Sequence, residues 1–256
     1  MPRKRSSPHP RLYKTIFELR YPPKLEFFNV FIAAAQALDG YPNWEVSSLA
    51  VSLRNFEKRC SLNIQHNRFA YDQDSDDLSV TDKYIKEALE KLPNAIKITS
   101  CVRFGFRRKY LIAVKMSFEE LVKVLDLKLL AQDTRLKKIL PHKTADVAYI
   151  VDAADEVCKY HIRIGPLRKV ETERHMEFST ENHLDPSSRA KDYSKIVDAY
   201  PDVSIIFDLD MYRDGEDIPI QEASKFVEEA QNRTEGMVRN FRNYIFEITL
   251  EDNSDV

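Results

Sequence analysis

Cys158-Lys159-Tyr160-His161-Ile162-Arg163-Ile164 alternates at every step between an apolar or aromatic residue and a basic one. In an extended chain successive side chains point to opposite faces. Cys158, Tyr160, Ile162 and Ile164 therefore share one side, and Lys159, His161 and Arg163 share the other. This is the signature of an antiparallel strand with one face in a core and one face in a polar environment. Val147 to Val151 alternates in the same way just before it. Val203 to Tyr212 is the most apolar strand candidate in the chain. Leu12 to Arg20, Trp44 to Phe56 and Cys60 to Tyr71 each read as one strand. Ile96 to Val114 reads as one long strand or a bent pair, and Tyr244 to Leu250 as a closing strand.

Helical periodicity separates these stretches. After Pro22 and Pro23, residues Leu25, Phe28, Phe31, Ile32, Ala35 and Leu38 fall on one face, with Gly40 placed to end the helix. Thr81 to Leu92 forms a second helix, stopped by Pro93. Ser117 followed by Glu120 is a capping box that opens a third. Pro219 to Phe241 is a long amphipathic helix. Thr172 to Tyr200 shows no clear period and reads as a long polar loop of the kind that is functional, mobile or partly structured. The order lacks strict βαβα alternation, so the expected class is α+β, with antiparallel sheets backed by amphipathic helices. Each half has paired strands and a long helix, which predicts two related halves, residues 12–140 and 141–250. A basic tail (1–11) and an acidic tail (251–256) flank them, and Ala131 to Lys143 connects them.

The chain has 256 residues, of which 43% are hydrophobic and 31% charged, with a formal net charge of −2. That is enough apolar matter for a core, and the charge balance argues against coating nucleic acid by net charge alone. A basic arm at Arg3, Lys4 and Arg5 could still touch nucleic acid. No apolar run reaches the roughly 20 residues needed to span a bilayer, and Met1 to Pro10 does not resemble a secretory signal. No membrane role is expected. Cys60, Cys101 and Cys158 are distant from one another and odd in number, which predicts buried free thiols in a reducing, cytoplasmic setting. The five glycines are scattered, so GxxxxGK[ST] and GxGxxG are absent, as are GxSxG, HExxH and CxxC. P-loop NTPases, Rossmann dehydrogenases and protein kinases are disfavoured accordingly.

Four segments resemble a sporadically distributed family of uncharacterised prokaryotic proteins of similar length: Phe17-Glu18-Leu19-Arg20-Tyr21-Pro22-Pro23, the run Val102 to Ile112, Ile206-Phe207-Asp208-Leu209-Asp210, and the terminal helix leading into Ile245 to Thr249. The resemblance implies no activity, cofactor or catalytic residue. The family's patchy distribution implies a mobile accessory gene, with host defence as one setting.

Three constellations could carry chemistry. Asp208 and Asp210, two apart on a strand, project from one face and could hold a divalent metal. His175, Glu177, Glu181 and His183 offer imidazole and carboxylate ligands that could join them. Arg103, Arg107, Arg108 and Lys109 interleave with Phe104, Phe106 and Tyr110, a pattern that suits nucleic acid. On a strand, Arg108 shares the aromatic face and the other three bases share the opposite one. The acidic run Asp72, Asp74, Asp76 and Asp77 lacks the glycine and terminal glutamate of a calcium loop and reads as a solvated turn. The expected function is a binding or interaction protein with a protein partner. The alternatives are a metal-dependent enzyme acting on phosphodiesters or nucleotides, and an RNA- or DNA-binding module. No cofactor is expected beyond that divalent metal.

Overall fold

The computed structural model of the chain describes residues 9–74, 78–130 and 144–246, without the side chains of 78–79, 130 and 177–181. The strands are β1 (Pro10–Arg20), β2 (Asn43–Val46), β3 (Ala50–Asn55), β4 (Cys60–Gln65), β5 (Arg68–Gln73), β6 (Ser100–Ala113), β7 (Tyr149–Ala154), β8 (Lys159–Arg168) and β9 (Val203–Pro219). The helices are α1 (Phe27–Gln36), α2 (Leu78–Ile96), α3 (Phe118–Leu125, prolonged by a π-helical turn over Asp126–Leu130), α4 (Lys169–Asn182), α5 (Arg189–Asp198) and α6 (Glu222–Phe246). All nine strands join one sheet in the order β2-β3-β4-β5-β1-β6-β9-β8-β7, and every pairing is antiparallel. The α+β expectation holds.

The order is symmetric about the β1–β6 pair. Outward from β1 run β5, β4 and β3; outward from β6 run β9, β8 and β7. In both halves a strand leads to a helix, then to a meander, then to a longer helix, with β2 as an extra edge strand in the first half. The halves therefore share a topology and a single continuous sheet. The second half differs by an insertion: α4 and α5 lie between β8 and β9, where the first half has only the short turn at His66 and Asn67.

One face of the sheet is apolar because the pleat sorts the residues. Phe17, Leu19, Leu62, Ile64, Phe69, Phe104, Phe106, Leu209 and Met211 are all fully buried. Helices α1, α2, α3 and α6 cover them with Phe27, Ala35, Ile85, Leu92, Leu121, Phe226 and Ala230. Truncating any one of the aromatics costs about 3–5 kcal/mol. The three cysteines are free and buried in this layer. Arg108 is the exception to its chemistry: it lies within the apolar layer, fully buried, beside the Phe106 ring, with its guanidinium donating to Glu235 on α6 at 2.8 Å.

Several sequence expectations are corrected. Trp44 to Phe56 is two strands, because Ser47 Oγ accepts from the Ala50 amide and folds the chain back at residues 47–49. Cys60 to Tyr71 is likewise two strands, β4 and β5, turned at His66 and Asn67. Ile96 ends a helix rather than opening a strand: Pro93 lies inside α2, and the helix stops at Lys97, whose φ of 58° lets the Ile98 amide reach back to the Pro93 carbonyl at 2.8 Å. Thr172 to Tyr200 is not a loop but the greater part of α4 and α5. No apolar stripe betrays these helices, because α4 packs on the polar face of the sheet. Tyr244 to Phe246 belongs to α6 rather than to a strand, and residues 247–250 lie outside the described part, as does the connection at 131–143.

Gly40, which follows α1, has φ +84°, and a Cβ there would lie 2.5 Å from the Tyr84 hydroxyl on α2. Its carbonyl accepts from Asn55 Nδ2 at 2.6 Å and from that hydroxyl at 3.1 Å, so the backbone cannot move aside without losing both. Gly40→Ala is expected to destabilise the fold by about 1–3 kcal/mol, read as a lower midpoint in urea unfolding. An unchanged midpoint would show that the α1–β2 connection tolerates a conformation other than the one described.

Candidate functional site

The other face of the sheet is mostly polar, with Ile16, Leu111 and Ile206 among its apolar members, and its composition follows from register. One row runs across eight strands from Arg54 through Ser61, Asp72, Ile16, Arg107, Asp210 and His161 to Asp152. On one side of it runs a row of Lys14, Lys109, Asp208 and Arg163. Two steps away on the other side Arg68, Arg20, Arg103 and Asp214 are aligned. Between the row through Ile16 and the row through Arg20 lie Asn63, Ala70, Glu18, Gly105 and Tyr212. Helix α4 covers only part of this face, over the lysine row.

Asp208 and Asp210 project from the same face of β9, as their spacing predicts. Asp208 is buried, and Arg107 clamps it bidentately at 2.7 and 2.6 Å, with Lys109 Nζ at 3.9 Å. His175 reaches the same neighbourhood from α4, but it meets Lys109 Nζ at 3.4 Å rather than a carboxylate. Burial, then the Lys109 charge, push the His175 pKa down to about 4, so the ring is neutral at neutral pH. Burial likewise lowers the Lys109 pKa against the pull of Asp208. Asp210 lies nearer the open part of the face, 3.7 Å from Arg103, and burial raises its pKa despite the flanking arginines. A guanidinium and an ammonium thus stand where a divalent ion beside Asp208 would have to sit. The side chains of Glu177 and Glu181 lie outside the described residues.

The basic strand divides between faces. Arg103 and Arg107 line the polar face, and Lys109 shares it but lies mostly buried beneath α4. Arg108, on the helix-covered side, is removed from any ligand on this surface. The aromatics between them, Phe104, Phe106 and Tyr110, pack into the core.

A second polar cluster was not legible as a unit in the sequence. Lys14 Nζ lies 2.5 Å from Asp72 and 3.1 Å from Asp74. His183, just beyond α4, places Nδ1 3.0 Å from Asp74 Oδ2 and Nε2 3.0 Å from Ser61 Oγ. Asp74 is therefore a buried, multiply bonded carboxylate and not part of a solvated turn; Asp76 and Asp77 lie outside the described residues. Burial alone would raise the Asp74 pKa, but the His183 hydrogen bond and the Lys14 charge outweigh it and hold the value at about 2. Burial works against the Lys14 charge, and Asp72 and Asp74 overcome it, raising its pKa. The donor atoms of Asp72, Asp74 and His183 lie within 4.8 Å of one another, a spacing that could hold a metal. Lys14 already bridges both carboxylates. A cavity of about 380 Å³ opens beside Ser61, with Lys14, Ser52, Arg54, Asn63, Asp72 and His183 around it. Ser61, Asp74 and His183 are 109 or more residues apart in pairs that include His183. No local pattern could have joined them.

The depressed Asp74 pKa sets a pH dependence. A carboxyl whose folded pKa lies below its unfolded value contributes stability above the unfolded pKa, and that contribution is lost as pH falls through the folded one. Between an ordinary 3.8 and about 2 this is on the order of 2 kcal/mol. The stability gap between the wild type and Asp74→Asn, measured by urea unfolding, is expected to shrink by about that amount as pH drops from about 6 to about 2. A gap independent of pH would contradict the arrangement.

No protein-family model matches the chain, and no curated protein matches it. Among solved structures, Methanococcus jannaschii TBP is similar over 94% of this chain and 100% of its own, with a TM-score of 0.35 and 9% identity. A score at that level carries no argument about function.

Proposed function

We propose that the chain is a binding protein whose open sheet face takes a polyanion, the phosphate backbone of a single-stranded nucleic acid. The observation that carries this reading is the alignment of Arg68, Arg20 and Arg103 directly opposite one another on the adjacent strands β5, β1 and β6. Like charges placed directly opposite destabilise a sheet, so such a row needs compensation. Glu18 alone serves two of the three, accepting from Arg20 at 2.6 Å and approaching Arg68 at 3.5 Å. Arg103 lies 4.1 Å over the Tyr212 ring, with Asp210 at 3.7 Å and Asp214 directly opposite it on β9, so the carboxylates gather at that end of the row and Arg20 and Arg68 share Glu18. Arg20 and Arg68 are about half exposed at their side chains, and surface pairs of this kind contribute little.

The neighbouring row fits the same ligand. Ala70 keeps the sheet low beside Glu18, while Gly105 is buried under the Arg103 side chain and leaves room for its guanidinium to lie flat. Tyr212 adds a partly exposed aromatic of the kind on which bases stack. The formal charge of −2 means that attraction is local to this face rather than global. A protein partner with an acidic surface would engage the same arginines.

The test is fluorescence anisotropy with labelled single-stranded RNA and DNA oligonucleotides over a range of salt. The triple variant Arg20→Ala, Arg68→Ala, Arg103→Ala is expected to bind more weakly and to lower the slope of log K against log salt by about 2, at roughly 0.7 per phosphate contact. Absence of binding by the wild type at low salt, or an unchanged slope in the variant, would remove the reading.

A further inference from the structure

We propose that Ser61, His183 and Asp74 form a nucleophilic relay that hydrolyses a small polar acyl ester in the cavity beside Ser61. The geometry has each element that activates a serine: hydroxyl to imidazole at 3.0 Å, and imidazole to a buried carboxylate at 3.0 Å. An ionised Asp74 can only accept, so His183 Nδ1 carries the hydrogen of that bond. In the neutral ring Nε2 is then left to accept from the Ser61 hydroxyl. Lys14, 3.1 Å from the other Asp74 oxygen, keeps the carboxylate charged and fixed. A contact that merely fastened α4 to the sheet would need only the His183–Asp74 bond. The hydroxyl on the second nitrogen, facing a cavity of about 380 Å³, is what substrate chemistry adds.

The reaction balances without a cofactor. Ser61 Oγ bonds to the carbonyl carbon as its proton passes to His183 Nε2. The ester C–O bond breaks, and the leaving alcohol takes that proton. Water then attacks the acyl-serine, giving a proton to Nε2; the acyl–Oγ bond breaks, Oγ recovers the proton, and the acid leaves. Arg54, directly opposite Ser61 on β3, lines the same cavity as Lys14; its guanidinium donates to Glu45 at 2.7 Å and is the charge that turns toward the developing oxyanion. The polar cavity lining, with Ser52 and Asn63, suits a short polar acyl group rather than a lipid chain.

The full chain would be treated with a fluorophosphonate probe, which forms a Ser Oγ–P bond and releases fluoride, and assayed in parallel with p-nitrophenyl acetate. The expected result is modification mapped to the Ser61 peptide by mass spectrometry, absent in Ser61→Ala, with hydrolysis reduced at least about tenfold in that variant and in Asp74→Asn. Melting curves identify any variant that has lost its fold, and Ser61→Ala, a small change at a partly exposed strand position, is the deciding one. No modification of Ser61 in the wild type, or hydrolysis by a folded Ser61→Ala equal to wild type, overturns the proposal.

Discussion

A single extra residue in β1 decides which groups meet at the centre of the sheet. Before it, Leu12 faces Tyr110 on the helix-covered side; after it, Lys14 faces Lys109 on the polar side. The irregularity between them is a β-bulge at Tyr13, and it reverses the phase of the pleat. With regular alternation, Lys14 would share the face of Leu12 and enter the apolar core, where an ammonium without carboxylates costs several kcal/mol. The bulge instead delivers Lys14 to Asp72 and Asp74 and leaves Phe17 and Leu19 in the core behind it. Because the two halves of the sheet meet at the β1–β6 pair among the described residues, this local device also sets the electrostatics of their junction.

The junction brings like charges together twice, and the two cases are resolved differently. Lys14, buried, and Lys109, mostly buried, stand opposite each other, with Asp72, Asp74 and Asp208 around them and Arg107 on Asp208. That group is balanced within the fold, as a buried charge must be. Arg68, Arg20 and Arg103 lie at the other end of the same strands, where water substitutes for some of the missing compensation and Glu18 supplies the rest. Burial thus separates a group whose charges are paired within the fold from a surface able to exchange water and counterions for a ligand.

How much of this was legible depended on whether the information was local. The alternation in Cys158 to Ile164 and the Ser117–Glu120 capping box are each local, and each corresponds to an element of the expected type; the period after Pro22 and Pro23 gives the helix but not its face, since Leu25, Phe28 and Ile32 are exposed and Phe27 and Ala34 are buried. The pleat of β6 likewise separates Arg103, Arg107 and Lys109 from Arg108. It could not show that Arg107 is spent on Asp208, because that pair comes from strands 101 residues apart. Helices α4 and α5 were missed because the period of a helix is read from apolar residues, and a helix lying on a polar sheet face needs few. The bulge at Tyr13 left no mark either, since Leu12 to Arg20 reads as one strand with or without it.

The insertion also partitions the polar face. Two histidines hold it: His175 at Lys109, and His183 at Asp74 and Ser61. They are not equivalent. His175 faces a cation, is driven neutral and can only accept there, so its contact fastens the helix and offers no proton relay. His183 has an acceptor on one nitrogen and a hydroxyl on the other, which gives it direction. The Ser61 row lies at the level of Ile16 and the arginine row at the level of Arg20, four residues further along β1. At about 3.3 Å per residue the two are separated by roughly 13 Å along the strands. A strand of nucleic acid lying along the arginines would meet the Ser61 cavity at its Asn63 edge and not at the relay itself. Because the arginines are not in the relay and the relay is not in the arginine row, either reading can fail without disturbing the other.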